Sequence, residues 1–358
     1  MLYPRFIKKN ILDALQDTPV NLITGARQTG KTTLVKQLVS VDYPAQYVTL
    51  DDLSIRGAIE NDPQGFLKSK TTPLIIDEIQ LVPALLPAIK YEVDKNRIPG
   101  RFLLTGSANI LTLPRISESL AGRMEIHTLF PLSQGELSNK KETFIDWIFS
   151  EKLDHNDNES KRENDIWRRI VNGGYPEIIK RTVVERKHAW FQDYITTILQ
   201  RDVKELSNIE GLTQMPRVIQ LLANRVSSLM NIAELSRSLQ IPQTSLKRYI
   251  SLFQTTFLIS FLPAWSGNLG KRIVKTPKLF FTDTGLAAYL MGANFNSHDE
   301  KFNIFGPLFE NFVLSELKKQ SAWSHTKPQF FHFRNQTGLE VDFILEDRRR
   351  NCVGIEVK

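Results

Sequence analysis

The chain has a single cysteine, Cys352, so it cannot form an internal disulfide, and a reducing compartment is expected. Its opening residues, MLYPRFIKKN, lack the apolar core of a secretory leader. No apolar run approaches the roughly 20 residues of a spanning helix. These absences predict a cytoplasmic protein without a membrane partner. Acidic residues are in deficit too: 39 Asp and Glu face 46 Lys and Arg, leaving a net charge of +7. That balance favours an anionic partner such as nucleic acid. At 358 residues the chain is long enough for two or three domains.

The most specific pattern that is present lies near the start, in NLITGARQTGKTTLVKQL. Gly25, Ala26, Arg27, Gln28, Thr29, Gly30, Lys31, Thr32 and Thr33 read as a phosphate loop, Gly-x-x-x-x-Gly-Lys-Thr and one residue more. VNLIT before it has the look of a buried strand, and Leu34, Val35 and Leu38 after it recur at helical spacing. Such a loop curls its N–H groups around phosphates at a helix N-terminus, where the dipole favours anions. Lys31 is expected to reach the outer phosphates, and the Thr32 hydroxyl to ligate magnesium. A second apolar strand, LII, runs into Asp77 and Glu78. Asp77 is expected in the magnesium shell and Glu78 beside the attacking water. A third, RFLLTGSAN, ends in Thr105, Gly106, Ser107 and Asn109, where Ser107 is placed to sense a γ-phosphate. Arg123 in SLAGRMEI is a candidate arginine finger, acting in cis or from a neighbouring subunit. NKKE (Asn139 to Glu142) echoes a guanine-reading Asn-Lys-x-Asp but ends in Glu, so ATP is the expected nucleotide.

Boundaries follow from composition. FPLSQGEL is taken to close a nucleotide domain at 1–145, and the polar stretch Ser150 to Asp165 opens a linker with connecting helices at 146–215. Over 216–292, Ile232, Leu235 and Leu239 mark one helix. A turn at Gln240–Pro242 leads to a second, with Leu246, Tyr249, Ile250 and Phe253 inward. Two strand-like stretches around SGNLGKRIVK complete a winged helix-turn-helix pattern. Gln243, Thr244, Lys247 and Arg248 fall on the outer side of the second helix and are candidate contacts to double-stranded DNA.

The last segment, 293–358, alternates with period two. Val341, Phe343, Leu345, Val353, Ile355 and Val357 are apolar, while Glu340, Asp342, Glu356 and Lys358 lie between them. If the loop Asp347 to Asn351 closes symmetrically, Asp342 faces Glu356 at the spacing of cross-strand pairs. Two such carboxylates call for a cation between them. Glu310, on an adjacent helical stretch, adds a third acid, and Lys358 a cationic group able to stabilise a phosphorane.

Taken in order, GARQTGKTTL, LIIDEIQ, LLTGSAN, LAGR, PLSQGEL, GGYPE, KLFFTDTGLA and FENFVLSEL…EVDFILE…IEVK resemble a large prokaryotic group of AAA-type ATPases with a C-terminal domain of unknown function. The resemblance runs from Arg5 to Lys358. It implies an α/β P-loop NTPase sheet flanked by helices, then a winged helix, then a partial restriction-endonuclease-like lobe similar to PD-(D/E)xK nucleases. Glu310, Asp342, Glu356 and Lys358 fall on that nuclease motif. A core of that type continues past Glu-x-Lys, so truncation of the lobe is expected. The function expected is magnesium-dependent ATP hydrolysis coupled to DNA binding or remodelling. The alternatives are an ATP-controlled switch acting on a protein partner or by self-association, and an ATP-gated metal-dependent nuclease.

Overall fold

The computed structural model describes residues 2–108, 120–150, 166–203, 212–268, 270, 272, 275–293, 295, 303–335 and 337–358. Asn109 of the third strand's tail lies outside them. The described residues form two compact units, Met1–Phe130 with Thr255–Phe257, and Pro131–Gln254 with Leu258–Lys358.

The first unit is built on a five-stranded sheet of β1 (Val20–Thr24), β2 (Gln46–Thr49), β3 (Leu74–Asp77), β4 (Phe102–Gly106) and β5 (Met124–Thr128), in the order β2-β3-β4-β1-β5. All neighbours are parallel. Strands β1, β3 and β4 are buried throughout, as mainly apolar runs are in a sheet covered on both faces. Leu22, Leu74, Ile76, Phe102 and Leu104 pack on Leu85, Ile89 and Val93 of the helix Leu85–Lys95. β1 pairs with β4 and β5, whereas β2, next in sequence, lies at the far edge. Order reverses at β1, and ligands bind outside the carboxyl ends of strands at such a point.

The second unit begins earlier than composition suggested. The first unit ends at Phe130, short of residue 145, because PLSQGEL is fastened elsewhere. Its short helix Gln134–Ser138 carries a Ser133–Glu136 capping box. The Gln134 N–H donates to Glu316, and Lys319 donates to the Leu132 carbonyl, both partners being on the helix Phe305–Ser321. The helices Ile232–Leu239 and Gln243–Thr255 follow each other across a tight turn, with Gln240 left-handed at φ 56°. An antiparallel ribbon of β6 (Ile259–Leu262) and β7 (Lys278–Phe281) comes next. A three-stranded sheet, β10-β9-β8, is formed by β8 (Gln329–Arg334), β9 (Glu340–Glu346) and β10 (Cys352–Ile355).

Among the described residues, the ribbon packs against the final lobe. Leu262 and Phe280 share one core with Leu314, Leu317, Phe343 and Leu345. The Asn311 amide, fully buried, bonds both the N–H and the carbonyl of Phe281, satisfying the outer edge of β7. Among the described residues no helix is long and apolar enough to cross a membrane.

Candidate functional site

The loop between β1 and the helix Lys31–Val41 takes its shape from positions at which a side chain is excluded or strained. Gly25 has φ 149°, and a Cβ there would lie 2.2 Å from the Leu129 carbonyl oxygen. Gly30 has φ 97° and caps the helix, while Gln28 holds φ 62° with its side chain exposed. Ala26 and Thr29 are buried beneath the loop, and Thr29 Oγ1 bonds the Ala26 carbonyl at 2.9 Å. Lys31 is buried and donates to the carbonyls of Gly25 and Ala26, each at 2.9 Å. Arg27 is partly exposed on the loop, and Thr32 and Thr33 open the helix. The sequence pattern did not single out Arg5. Its guanidinium donates to the Thr29 carbonyl at 2.8 Å and to the Phe130 carbonyl at 2.6 Å, bracing the loop from behind.

At the adjacent ends of β3 and β4 lies a hydroxyl web. Asp77 Oδ2 accepts from Thr32 Oγ1 at 2.8 Å and from Tyr47 Oη at 2.7 Å, and Oδ1 accepts from Thr105 Oγ1. Burial, reinforced by the hydrogen bond to the Asp77 carboxylate, raises the pKa of Tyr47. Thr105 Oγ1 also accepts the Glu78 N–H at 3.0 Å, so one hydroxyl positions both acids. Burial opposes the Glu78 charge. Lys31, the Gln80 amide, the Ser107 hydroxyl and Arg27 outweigh it and hold the pKa below the ordinary carboxylate value. Thr32 and Asp77 present converging oxygens, a donor set that fits magnesium taking its other ligands from water and phosphate.

Arg123 does not join this constellation. It precedes β5, whose register sets Met124 beside Val20 and Thr128 beside Thr24. The length of β5, five rises from Arg123 to Thr128 or roughly 16 Å at 3.3 Å per residue, separates it from the loop end of the sheet. Its guanidinium pairs with Asp94 and bonds the Ala121 carbonyl. A finger acting in cis is therefore excluded by the parallel register.

In the second unit Gln243, Thr244, Lys247 and Arg248 are all exposed on one helix, while Leu246, Tyr249, Ile250 and Phe253 are buried. One cation of the following basic loop is committed elsewhere. Arg272 pairs with Glu346 at 2.7 Å and lies over the rings of Trp265 and Phe331.

The closing hairpin forms in the expected register, Ile355 opposite Phe343 and Cys352 opposite Glu346. Continued by one step, it sets Glu356 across from Asp342. The four expected nuclease residues are nevertheless not gathered around one centre. Glu356 and Lys358 pair with each other at 3.0 Å in an exposed position, and Asp342 Oδ2 accepts the Val357 N–H at 2.9 Å. The space among the acids is filled by Lys278, which enters from β7. Its ammonium lies 3.0 Å from Glu310, 2.7 Å from Glu340 and 3.8 Å from Asp342, and is only 4% exposed. These acids already surround a fixed positive charge and do not fit a divalent ion. Among the described residues no group of three or more His, Cys, Asp or Glu is arranged for a metal.

One lysine among three carboxylates leaves the most buried acid under strain. Burial pushes the pKa of Glu310 up to about 7; the Lys278 charge opposes the shift, and Asp342 and Glu340 add to it. Because the folded value is raised, the contribution of Glu310 to stability is complete below its unfolded value near 4.5 and is lost as pH rises through about 7. Urea unfolding from pH 4.5 to 8 should show the wild type losing stability relative to Glu310→Gln across that window. Parallel curves would contradict the assignment.

Residues 17–138 match a family described as an AAA domain. Residues 163–297 and 305–358 match two domains of unknown function, DUF8612 and DUF4143. Two uncharacterised proteins, one of Mycobacterium tuberculosis and one of Mycobacterium bovis, are each 32% identical over 346 residues, covering 96% of this chain and 71% of theirs. Among solved structures, a Walker-type ATPase of Pyrococcus abyssi aligns with a TM-score of 0.46 at 14% identity, over 81% of this chain and 96% of its own. AMPPCP-bound DnaA of Aquifex aeolicus aligns with a TM-score of 0.32 at 16% identity, over 69% and 86%.

Proposed function

The chain belongs to the same protein family as the two mycobacterial relatives and carries an AAA domain over residues 17–138, and from this premise we propose that its first unit binds and hydrolyses ATP with magnesium and that its second unit contacts DNA. The observation that carries the hydrolytic part is the hydrogen-bonded set Thr32–Asp77–Thr105–Glu78 beside a buried loop lysine. Lys31 and the loop N–H groups hold phosphates, with Lys31 exchanging its carbonyl partners for phosphate oxygens. Thr32 and Asp77 hold the magnesium shell. Magnesium, when bound, neutralises charge on the phosphate oxygens. Glu78 orients the attacking water and takes its proton, and Ser107 contacts the terminal phosphate. Asp77, Glu78 and Ser107 lie at or just beyond strand ends and Thr32 in the first turn of the helix after the loop, so the oxygen groups are held in place before the reaction.

The DNA reading is supported by the exposed face of the helix Gln243–Thr255 and by the net charge of +7. Its test is duplex DNA binding by the full chain over a salt series, with the double variant Lys247→Ala/Arg248→Ala alongside. Loss of two phosphate contacts should weaken binding and lower the salt slope by about 2. Equal affinity and slope in both proteins would sink the assignment and favour a nucleotide switch acting on a protein partner or through self-association.

A further inference from the structure

Gln80 lies on the short 3-10 turn Ile79–Leu81 directly after the two acids. It is brought there by Glu78, whose backbone is left-handed at φ 61° and ψ 47°. That is an unfavourable conformation for a residue with a side chain, and it persists only where the surroundings enforce it. With the chain turned back in this way, the Gln80 amide spans two strands. Its nitrogen donates to Glu78 Oε2 and, at 2.9 Å, to Ser107 Oγ, while its oxygen accepts the Ser107 N–H at 3.3 Å. The two amide hydrogens and the carbonyl are thus engaged by two residues only. Gln80 is thus the link between the Glu78 carboxylate and the Ser107 hydroxyl.

We propose that Gln80 is a positioning residue for hydrolysis, holding the Glu78 carboxylate in its reactive orientation and tying that orientation to whatever the Ser107 hydroxyl contacts. This deepens the hydrolytic reading given above and rests on it. Lys31 and Arg27 both attract the carboxylate from the loop side. Gln80, itself anchored on Ser107 beyond the end of β4, holds it from the other side. When the Ser107 hydroxyl turns its hydrogen to a phosphate oxygen, its oxygen still accepts from Gln80, and Gln80 keeps its hold on Glu78. Gln80 then prevents the base from swinging onto Lys31. A group acting in this way affects the chemical step and leaves ground-state nucleotide binding alone.

The test uses the full chain and Gln80→Met, which keeps the length and removes the hydrogen bonds. The expected result is a fall in kcat of about tenfold to hundredfold, no more than the lower edge of the roughly 10²–10⁴ that a positioned acid–base group supplies. KM for ATP, and affinity for a non-hydrolysable analogue, should stay within about twofold. In a cycle with Ser107→Ala, the double variant should turn over no more than about twofold slower than the slower single variant, because both substitutions cut one linked unit. Gln80→Glu, which retains the length but sets a charge against Glu78, should fall at least as far as Gln80→Met. An unchanged kcat, a parallel loss of nucleotide affinity, or effects that multiply in the cycle would each overturn the proposal. Failure of the underlying reading is separable: turnover in Glu78→Gln equal to wild type would remove the hydrolytic centre itself, whatever Gln80 does.

Discussion

Glu78→Gln should reduce ATP turnover by about 10²–10⁴-fold, the contribution of a positioned general base. Nucleotide affinity in the presence of magnesium should be nearly unchanged. The separation follows from how the site is assembled. The Glu78 backbone N–H is held by Thr105, and the Asp77 carboxylate by Thr32, Tyr47 and Thr105. None of those bonds involves the Glu78 side chain. An amide of the same shape therefore leaves the loop lysine and the magnesium donors in place while removing the group that accepts a proton. Steady-state phosphate release and binding of a fluorescent nucleotide measure the two quantities separately. A variant that loses binding along with turnover would show that Glu78 holds the loop rather than the water.

A second large effect is expected far along the chain. Lys278→Met should destabilise the second unit by about 3–5 kcal/mol, the cost of removing one partner from a buried ionic group. Lys278 is the shared cation of Glu310, Glu340 and Asp342. Without it three carboxylates on β9 and the helix Phe305–Ser321 repel each other with poor access to water. At about 2–4 °C per kcal/mol for a unit of this size, the melting transition should move down by roughly 6–20 °C. Adding Glu310→Gln to Lys278→Met should recover part of the loss by removing one of the repelling charges. An unchanged melting temperature in the single variant would mean that the acids are solvated, and that the lysine is not what keeps them together.

These two cases also mark what was legible in the residues. The phosphate loop is a local pattern whose spacing is its geometry, so Gly25, Gly30, Lys31 and Thr32 were readable without a fold. Asp77 and Glu78 were readable because a buried apolar strand that ends in acids has few other uses beside such a loop. The cis alternative for Arg123 fell because it depends on which end of β5 meets the loop, and only strand register decides that; register does not bear on the alternative from a neighbouring subunit. Gln80 stood within the quoted LIIDEIQ, yet its contact with Ser107 requires the left-handed turn at Glu78. Parity predicted the final hairpin and its register. It was blind to Lys278, because period-two alternation describes neighbours within a hairpin and says nothing of a side chain arriving from another strand. The attachment of the PLSQGEL segment was hidden for the same reason. The partners of the PLSQGEL segment, Glu316 and Lys319, are remote in sequence. Arg5 shows the reverse case, one of three cations in the N-terminal stretch MLYPRFIKKN, which becomes part of the site only once the loop is folded beside it.

The most direct test of the account is steady-state ATP turnover by the full chain with magnesium, with and without duplex DNA, using Lys31→Ala as the blank. The account predicts turnover that the substitution abolishes and that duplex DNA raises. Turnover indistinguishable from the Lys31→Ala blank under both conditions would contradict it, because the loop, the hydroxyl web on Asp77 and the Gln80 bridge would then hold no hydrolytic centre.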